Sequence, residues 1–159
     1  MLLQVRDAQD SMREQEVGCF AAALSCDRQQ IRTRDLLSAV PSALELSSTD
    51  MILLGGSGRY SATANAPWLD HALDLLRLLH TRRKPTFASC WGFQAMARAL
   101  GGTVIHDPSR AELGTHAVTL TAAGKADPLF GALGDSFEAQ MGHEDVVVEL
   151  PRDAVLLAS

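Results

Sequence analysis

One cysteine, Cys90, stands where a short apolar segment meets a segment with helical periodicity, in the stretch KPTFASCWGFQAMARALGG (residues 84–102). A nucleophile on a sharp turn between a strand and a helix is a recurring arrangement in hydrolases. The free N–H groups and the positive dipole end of such a helix favour a thiolate over a thiol. The pattern therefore predicts that Cys90 is a nucleophile, with the backbone N–H of Trp91 placed to stabilise an oxyanion.

A second element of the same site is expected in the segment LLGGSG, residues 53–58, which follows a fully apolar strand. Open parallel sheets bind ligands beyond the carboxyl ends of their strands, so a glycine N–H of Gly55 or Gly56 can complete an oxyanion hole. No Lys-Ser or Lys-Thr follows at the spacing of a phosphate-binding loop. The sequence predicts no cofactor and no metal site.

A cysteine in an apolar region is more often part of the packing than a nucleophile. We assign that packing role to Cys19 and Cys26, which have no comparable surroundings. A glycine pair after a strand is likewise more often a plain turn. At Cys90 the two features meet at one edge of the predicted sheet, and their coincidence favours catalysis.

The elements that must position this site follow the alternation of an α/β protein. Short apolar runs alternate with amphipathic segments through residue 100. The predicted strands are Met1–Val5, Ile31–Leu37, Met51–Leu54 and residues 86–89, and the predicted helices are Ser11–Leu24, residues 65–80 and Trp91–Leu100. The sequence thus predicts a flavodoxin-like open, mostly parallel sheet flanked by helices.

The second half of the chain changes character. Five segments have the alternation or β-branched content of strands, and one segment between them, residues 127–134, favours a brief helix. The predicted strands are residues 103–107, 115–121, 136–141, 145–150 and 154–159. An antiparallel extension at the C-terminal end is therefore expected.

Length and charge limit the classes of function. A chain of 159 residues fits one domain with its own core, and the net charge is −5. The one basic cluster, HTRRKP at residues 80–85, lies where a helix should end, so we expect no nucleic-acid partner. Three cysteines without a CxxC pair, and no long apolar run, predict a cytoplasmic protein without a membrane span.

Three segments in this order resemble class I glutamine amidotransferases, in particular the GMP-synthase-like branch. They are LLGGSG, then PTFASCWGFQ, then MGHEDVVVELPRDAVLLAS, and AELGTHAVTLTAAGKADPLFGAL between them is similar to the same branch. The family shows a strand ending in Gly-Gly-Pro, a cysteine elbow with a glutamine four residues later, and a Ser-His-x-Asp segment before Leu-Pro. The resemblance covers residues 50–159 most strongly.

The resemblance implies that Cys90 attacks the side-chain amide of glutamine. A γ-glutamyl thioester forms, ammonia leaves, and water then releases glutamate. The backbone N–H groups of Gly56 and Trp91 form the implied oxyanion hole. The residues implied to bind the substrate are Gln94, Gly114, Thr115 and Glu144.

The sequence departs from the family pattern at several positions. Ala88 replaces a glycine of the elbow, Ser57 replaces the proline after Gly-Gly, and Gly142 replaces the serine before the histidine. The family's catalytic His-Pro-Glu motif has no counterpart in residues 1–159, so we expect this single amidotransferase-like domain to lack that segment. His143 is the base candidate within the chain, although its surroundings align it with the earlier Ser-His-x-Asp segment.

Three functions remain open at this stage. The first is a glutaminase that supplies ammonia to an unknown acceptor, through a synthetase partner. The second is a γ-glutamyl peptidase on the same scaffold, which forms the thioester from a γ-glutamyl compound. The third is a non-catalytic member that binds or regulates, because a thiolate without a proton shuttle loses roughly 10²–10⁴-fold in rate.

Overall fold

Four parallel strands form the centre of the computed structural model, which describes all residues, 1–159. They are β1 (Leu2–Gln4), β2 (Thr33–Asp35), β3 (Ile52–Leu54) and β4 (Thr86–Ala88). Their order across the sheet is β2-β1-β3-β4, and every neighbouring pair is parallel. The predicted flavodoxin-like parallel sheet is confirmed, with strands shorter than their apolar runs.

Helices cover both faces of this sheet. The four helices of this half are α1 (Met12–Ala23), α2 (Ala43–Ser47), α3 (Pro67–Thr81) and α4 (Trp91–Ala99). Alternate strand residues point to opposite faces, so Leu2 and Leu53 pack with residues of α1, whereas Ile52 and Leu54 pack with residues of α3 and α4. The result is a three-layer sandwich, and the larger core lies on the side of α3 and α4.

The helix α3 begins with Pro67 at its first position, where the missing N–H costs nothing. Its apolar residues recur at helical spacing and are buried against the sheet. They are Leu69, Ala72, Leu73, Leu75, Leu76 and Leu79. None of the helices is both long and apolar enough to cross a membrane.

Two antiparallel ribbons make up the second half of the chain. The strand β5 (Thr103–His106) pairs with β8 (Asp145–Glu149), and β6 (Glu112–Thr119) pairs with β7 (Ser136–His143). The predicted antiparallel extension is confirmed. It brings the ends of β5, β6, β7 and β8 back toward the carboxyl edge of the parallel sheet.

Two predictions for this half are wrong in detail. Residues 154–159 form no strand, because only Ala158 bridges to Leu120 while Val155 stays exposed without a partner. The helix α5 (Ala122–Ala126) was not predicted. Its start is specified by Thr121, whose hydroxyl accepts a hydrogen bond from the N–H of Gly124. Residues 130–133 do form the expected short helical turn, of 3₁₀ type.

Candidate active site

Cys90 sits in a strained turn between β4 and α4. Its backbone angles are φ +52° and ψ −117°, in a region that residues with a Cβ rarely occupy. The side chain is exposed to solvent, and α4 starts at the next residue. Strain of this kind persists only where the surrounding structure holds it in place. The turn points the thiol away from the sheet, as the prediction of a nucleophile on a sharp strand–helix turn requires.

Gly92 allows α4 to approach the sheet closely enough to form this turn. A Cβ built on Gly92 would lie 2.5 Å from the Cβ of Leu54 and 3.1 Å from the Leu54 carbonyl oxygen. The N–H of Gly92 donates to the carbonyl oxygens of Gly55 and Ser89, at 3.0 and 2.9 Å. The glycine therefore couples the turn at Cys90 to the loop that follows β3.

That loop, residues 55–58, lies directly beside the sulfur. A Cβ on Gly56 would be 3.9 Å from the Cys90 Sγ. The buried hydroxyl of Ser57 donates to the carbonyl of Tyr60, which fixes the path of the loop. Trp91, as the first residue of α4, has a backbone N–H without an intrahelical acceptor. Gly56 and Trp91, the two predicted oxyanion donors, are thus both neighbours of Cys90.

A cavity of about 540 Å³ opens in front of Cys90. It is formed by the loop after β3, the start of α4, the ends of β5 and β7, and the start of β6. Six of the predicted site residues line it together: Gly56, Cys90, Trp91, Gln94, His143 and Glu144. No group of three or more His, Cys, Asp or Glu side chains is arranged to hold a metal ion.

Two predicted substrate-binding residues lie outside this lining. Gly114 and Thr115 follow the lining residue Leu113 along β6. The hydroxyl of Thr115 accepts a hydrogen bond from Gln140 on β7, and Gly114 has φ +99°. In this structure the cavity wall is made instead by residues 111–113, so these two residues adjoin the site without forming its surface.

Gln94 connects the elbow helix to β8. Its side chain is 6% exposed, and its Nε2 donates to the backbone carbonyl of Asp145 at 2.8 Å. Its own N–H donates to the carbonyl of Cys90. The glutamine therefore fixes the helix start relative to the far wall of the cavity.

Asp145 ties together three parts of the cavity wall, which the sequence analysis did not foresee. Its carboxylate accepts hydrogen bonds from the Ser61 hydroxyl at 2.7 Å and the Ala62 N–H at 2.8 Å. It also accepts from Nδ1 of His106 at 2.9 Å. The sequence analysis did not single out His106 as a site residue. It lines the cavity, because the pairing of β5 with β8 places it opposite Asp145.

His143 is held by a carboxylate on the neighbouring strand. It faces Glu112 across the β6–β7 ribbon, with its Nε2 3.1 Å from the Glu112 carboxylate. Its Nδ1 is buried and has no hydrogen-bond partner. The nearby Glu144 carboxylate lies 3.7 Å from Nε2 of His106. The cavity thus contains two imidazoles, each oriented by a carboxylate.

A buried polar network beneath the loop of residues 55–58 was also missed. Arg6 forms ion pairs with Asp10 at 3.1 Å and with Glu16 at 3.5 Å, and Gln4 donates to Glu16 at 3.1 Å. The Met12 N–H, with help from Arg6, holds the pKa of the Asp10 carboxyl below its ordinary value. The sequence did contain a signal for this network, because polar residues are unexpected at the end of an apolar strand. These residues are Gln4 and Arg6.

Comparison with known proteins identifies the family. Residues 5–159 match the family described as glutamine amidotransferase class-I. The γ-glutamyl-L-1-hydroxyisopropylamide hydrolase of a Pseudomonas species is 31% identical over 156 residues, covering 89% of this chain and 52% of that protein. The glutamine-hydrolyzing GMP synthase of Aliivibrio salmonicida is 30% identical over 146 residues, covering 92% of this chain and 24% of that protein.

Solved structures show the same fold. A glutamine amidotransferase from Methylobacillus flagellatus superposes with a TM-score of 0.75 at 24% identity, covering 99% of this chain and 59% of that one. The chain spans about half the length, or less, of the first curated relatives it matches. Because the family match extends over almost all of its residues, this chain belongs to the class-I glutamine amidotransferase family.

Proposed function

We propose that the chain carries the glutaminase chemistry of its family, with Cys90 as the nucleophile. The thiolate attacks the side-chain amide carbon of glutamine, the C–N bond breaks, and protonated nitrogen leaves as ammonia. Water then cleaves the γ-glutamyl thioester to glutamate. The observation that carries this proposal is the strained backbone of Cys90, which presents an exposed thiol to a cavity with Gly56 against the sulfur.

The oxyanion that develops during this attack needs two preorganised donors. We assign the backbone N–H groups of Gly56 and Trp91 to this role. The position of Gly56 beside the Cys90 Sγ supports the first assignment, and the free first-turn N–H of α4 supports the second. Removal of one such donor typically costs about 10²–10³-fold in rate.

The amino-acid end of the substrate is proposed to lie toward β7 and β8. Gln94 and Glu144 line that part of the cavity. Because Nε2 of Gln94 is engaged by Asp145, its carbonyl oxygen is the atom left for the substrate's ammonium group. Gly114 and Thr115 adjoin this region along β6, and they are proposed to take part only after a local adjustment of that strand.

Proton transfer to the leaving ammonia requires a base and acid near the sulfur. His143 is the base candidate of the chain, supported by its position in the cavity and its pairing with Glu112. We further propose that residues 1–159 belong to one amidotransferase domain. The relatedness to GMP synthases supports a synthetase as the partner that receives the ammonia.

A γ-glutamyl peptidase or amidase is the second candidate. Relatives include γ-glutamyl peptidase 3 of Arabidopsis thaliana and the Pseudomonas hydrolase. A second cavity of about 540 Å³ shares Ser57, Arg59 and Tyr60 with the first, and is also lined by Asp7, Gln9 and Asp10. Such space next to the first cavity would accommodate a leaving group larger than ammonia.

Initial rates of glutamate release from L-glutamine and from a γ-glutamyl dipeptide distinguish these candidates. We expect the 159-residue chain to release glutamate from glutamine in a Cys90-dependent reaction. Glutamate release from the dipeptide that is more than about tenfold faster than release from L-glutamine would favour the peptidase. Such a ratio corresponds to about 1.4 kcal/mol in transition-state stabilisation. Binding of both compounds without any release would instead support a non-catalytic role.

A further inference from the structure

The buried polar residues of this protein are concentrated at one place. Seven polar or charged residues are buried, and three of them, Gln4, Arg6 and Glu16, lie together beneath the loop of residues 55–58. Arg6 and Glu16 are each only 9% exposed. Burying charges costs more than filling the same space with apolar side chains, even when the charges are paired. The location of the network beside the nucleophile therefore requires a reason.

The guanidinium of Arg6 lies against the underside of this loop. Its Nη2 would be 3.2 Å from a Cβ on Gly56, and its Nη1 would be 3.5 Å from a Cβ on Gly58. The Cys90 Sγ contacts the same Gly56 position at 3.9 Å, so the guanidinium and the sulfur flank one glycine. Arg6 is also one of the residues that line the cavity.

Two carboxylates pair with the guanidinium on its other sides. Nη1 donates to Asp10, Nε lies 3.5 Å from Glu16, and the backbone carbonyl of Arg6 accepts from Arg13 at 2.8 Å. Nη1 makes the only side-chain hydrogen bond of Arg6, and neither Nη2 nor the buried Nε makes one. The guanidinium thus directs its Nη2 group toward Gly56, the residue that also lies beside the sulfur.

The charge of Arg6 offsets two carboxylates that would otherwise oppose the reaction. The Glu16 carboxylate contacts the position that a Cβ on Gly55 would take, and Asp10 lies 3.6 Å from that on Gly58. Negative charge this close to the loop disfavours both a thiolate and an oxyanion, by tenfold or more in a partly buried site. Arg6 is the only cation that pairs with both carboxylates.

We propose that Arg6 is a positioning residue for the reaction at Cys90. It supports the loop that carries the Gly56 N–H, and it neutralises Glu16 and Asp10 beside that loop. The inference rests on the proposed role of Cys90 as the nucleophile, and it predicts that charge and shape at Arg6 both matter.

Alkylation of Cys90 by iodoacetate and by iodoacetamide tests the charge directly. Both reagents react at the same carbon with the same leaving group, and only iodoacetate is an anion. Both alkylation rates at Cys90 are measured by peptide mass spectrometry. The iodoacetate rate divided by the iodoacetamide rate therefore reports the local electrostatic potential. We expect Arg6→Met to lower this ratio about tenfold, whereas Arg6→Lys stays within about threefold of the parent protein.

Arg82→Met is the matched control, because it removes the same charge from an exposed side chain at the end of α3. Its ratio should equal that of the parent. If Arg6→Met does not fold, the double variant Arg6→Met/Glu16→Gln is tested instead, because it also removes the Glu16 carboxylate that would be left unpaired. We expect its alkylation ratio to fall about threefold. An unchanged ratio in Arg6→Met, or in Arg6→Met/Glu16→Gln where only the double variant folds, overturns the proposal.

The supporting role for the loop is tested by kinetics. We expect Arg6→Lys to lower kcat about tenfold with KM nearly unchanged, because the oxyanion donors act mainly in the transition state. An equal kcat, or a loss confined to KM, contradicts the positioning role. Absence of turnover in the parent chain would count against the proposed function alone, since the alkylation ratio is measured without any substrate.

Discussion

Replacing Cys90 with alanine is expected to abolish glutamate release from glutamine and from γ-glutamyl compounds. Without the sulfur no thioester can form, and the remaining donors can only polarise a bound amide toward attack by water. Removal of a covalent nucleophile usually costs at least about 10³-fold in rate, and often much more. The fold should persist, because the Cys90 side chain is exposed and its truncation removes no buried packing contact. The measurement is glutamate release under saturating substrate.

Cys19 provides the matched control for this variant. The packing role predicted for Cys19 is wrong, because it is also an exposed free thiol. It lies on α1 and does not line the cavity. Cys19→Ala should therefore retain the parent rate. Activity that survives in Cys90→Ala would mean that another group attacks the amide, and the proposed chemistry would then be wrong.

Replacing Asp145 with alanine is expected to cause the largest loss of stability among single changes at the site. Asp145 is 6% exposed, and its carboxylate accepts from Ser61, Ala62 and His106. Truncation leaves the buried Ala62 N–H without an acceptor and disconnects the loop from β8. The expected cost is about 3 kcal/mol. In a chain of this length that corresponds to a fall in Tm of about 6–12 °C.

Two further variants make the interpretation of this result specific. Asp145→Asn keeps one carbonyl oxygen for Ser61 and Ala62, so we expect it to lose only about 1 kcal/mol. Asp153→Ala removes an exposed carboxylate from the same part of the chain and should leave Tm unchanged within about 1 °C. Equal melting temperatures for Asp145→Ala and Asp153→Ala would show that the hydrogen bonds of Asp145 do not support the fold.

The central sheet and the elbow could be predicted because their signals are local. Apolar runs that end in glycine or a turn mark β3 and β4, and the spacing of Leu69, Leu73 and Leu76 marks α3. Cys90 was predicted from the junction of β4 and α4 together with the glycine pair after β3, and from the resemblance of both segments to the family. Its positive φ was not predicted, and the turn depends on Gly92, whose lack of a Cβ lets α4 contact Leu54.

The far wall of the cavity could not be predicted, because it depends on strand pairing. His106 and Asp145 are 39 residues apart in the chain and meet only through the register of β5 with β8. Glu112 reaches His143 through the register of β6 with β7. Register in such ribbons is set by long-range packing. For the same reason the sequence could not show that residues 111–113 line the cavity in place of Gly114 and Thr115.

Covalent capture tests most directly the claim that Cys90 attacks a γ-glutamyl carbonyl group. The reagent is a glutamine analogue in which a diazoketone replaces the side-chain amide, and the readout is intact mass followed by peptide mapping. We predict one adduct per chain, at Cys90, suppressed by excess L-glutamine and absent from Cys90→Ala. Labelling of Cys19 or Cys26 at the same rate, or labelling that L-glutamine does not slow, would contradict it.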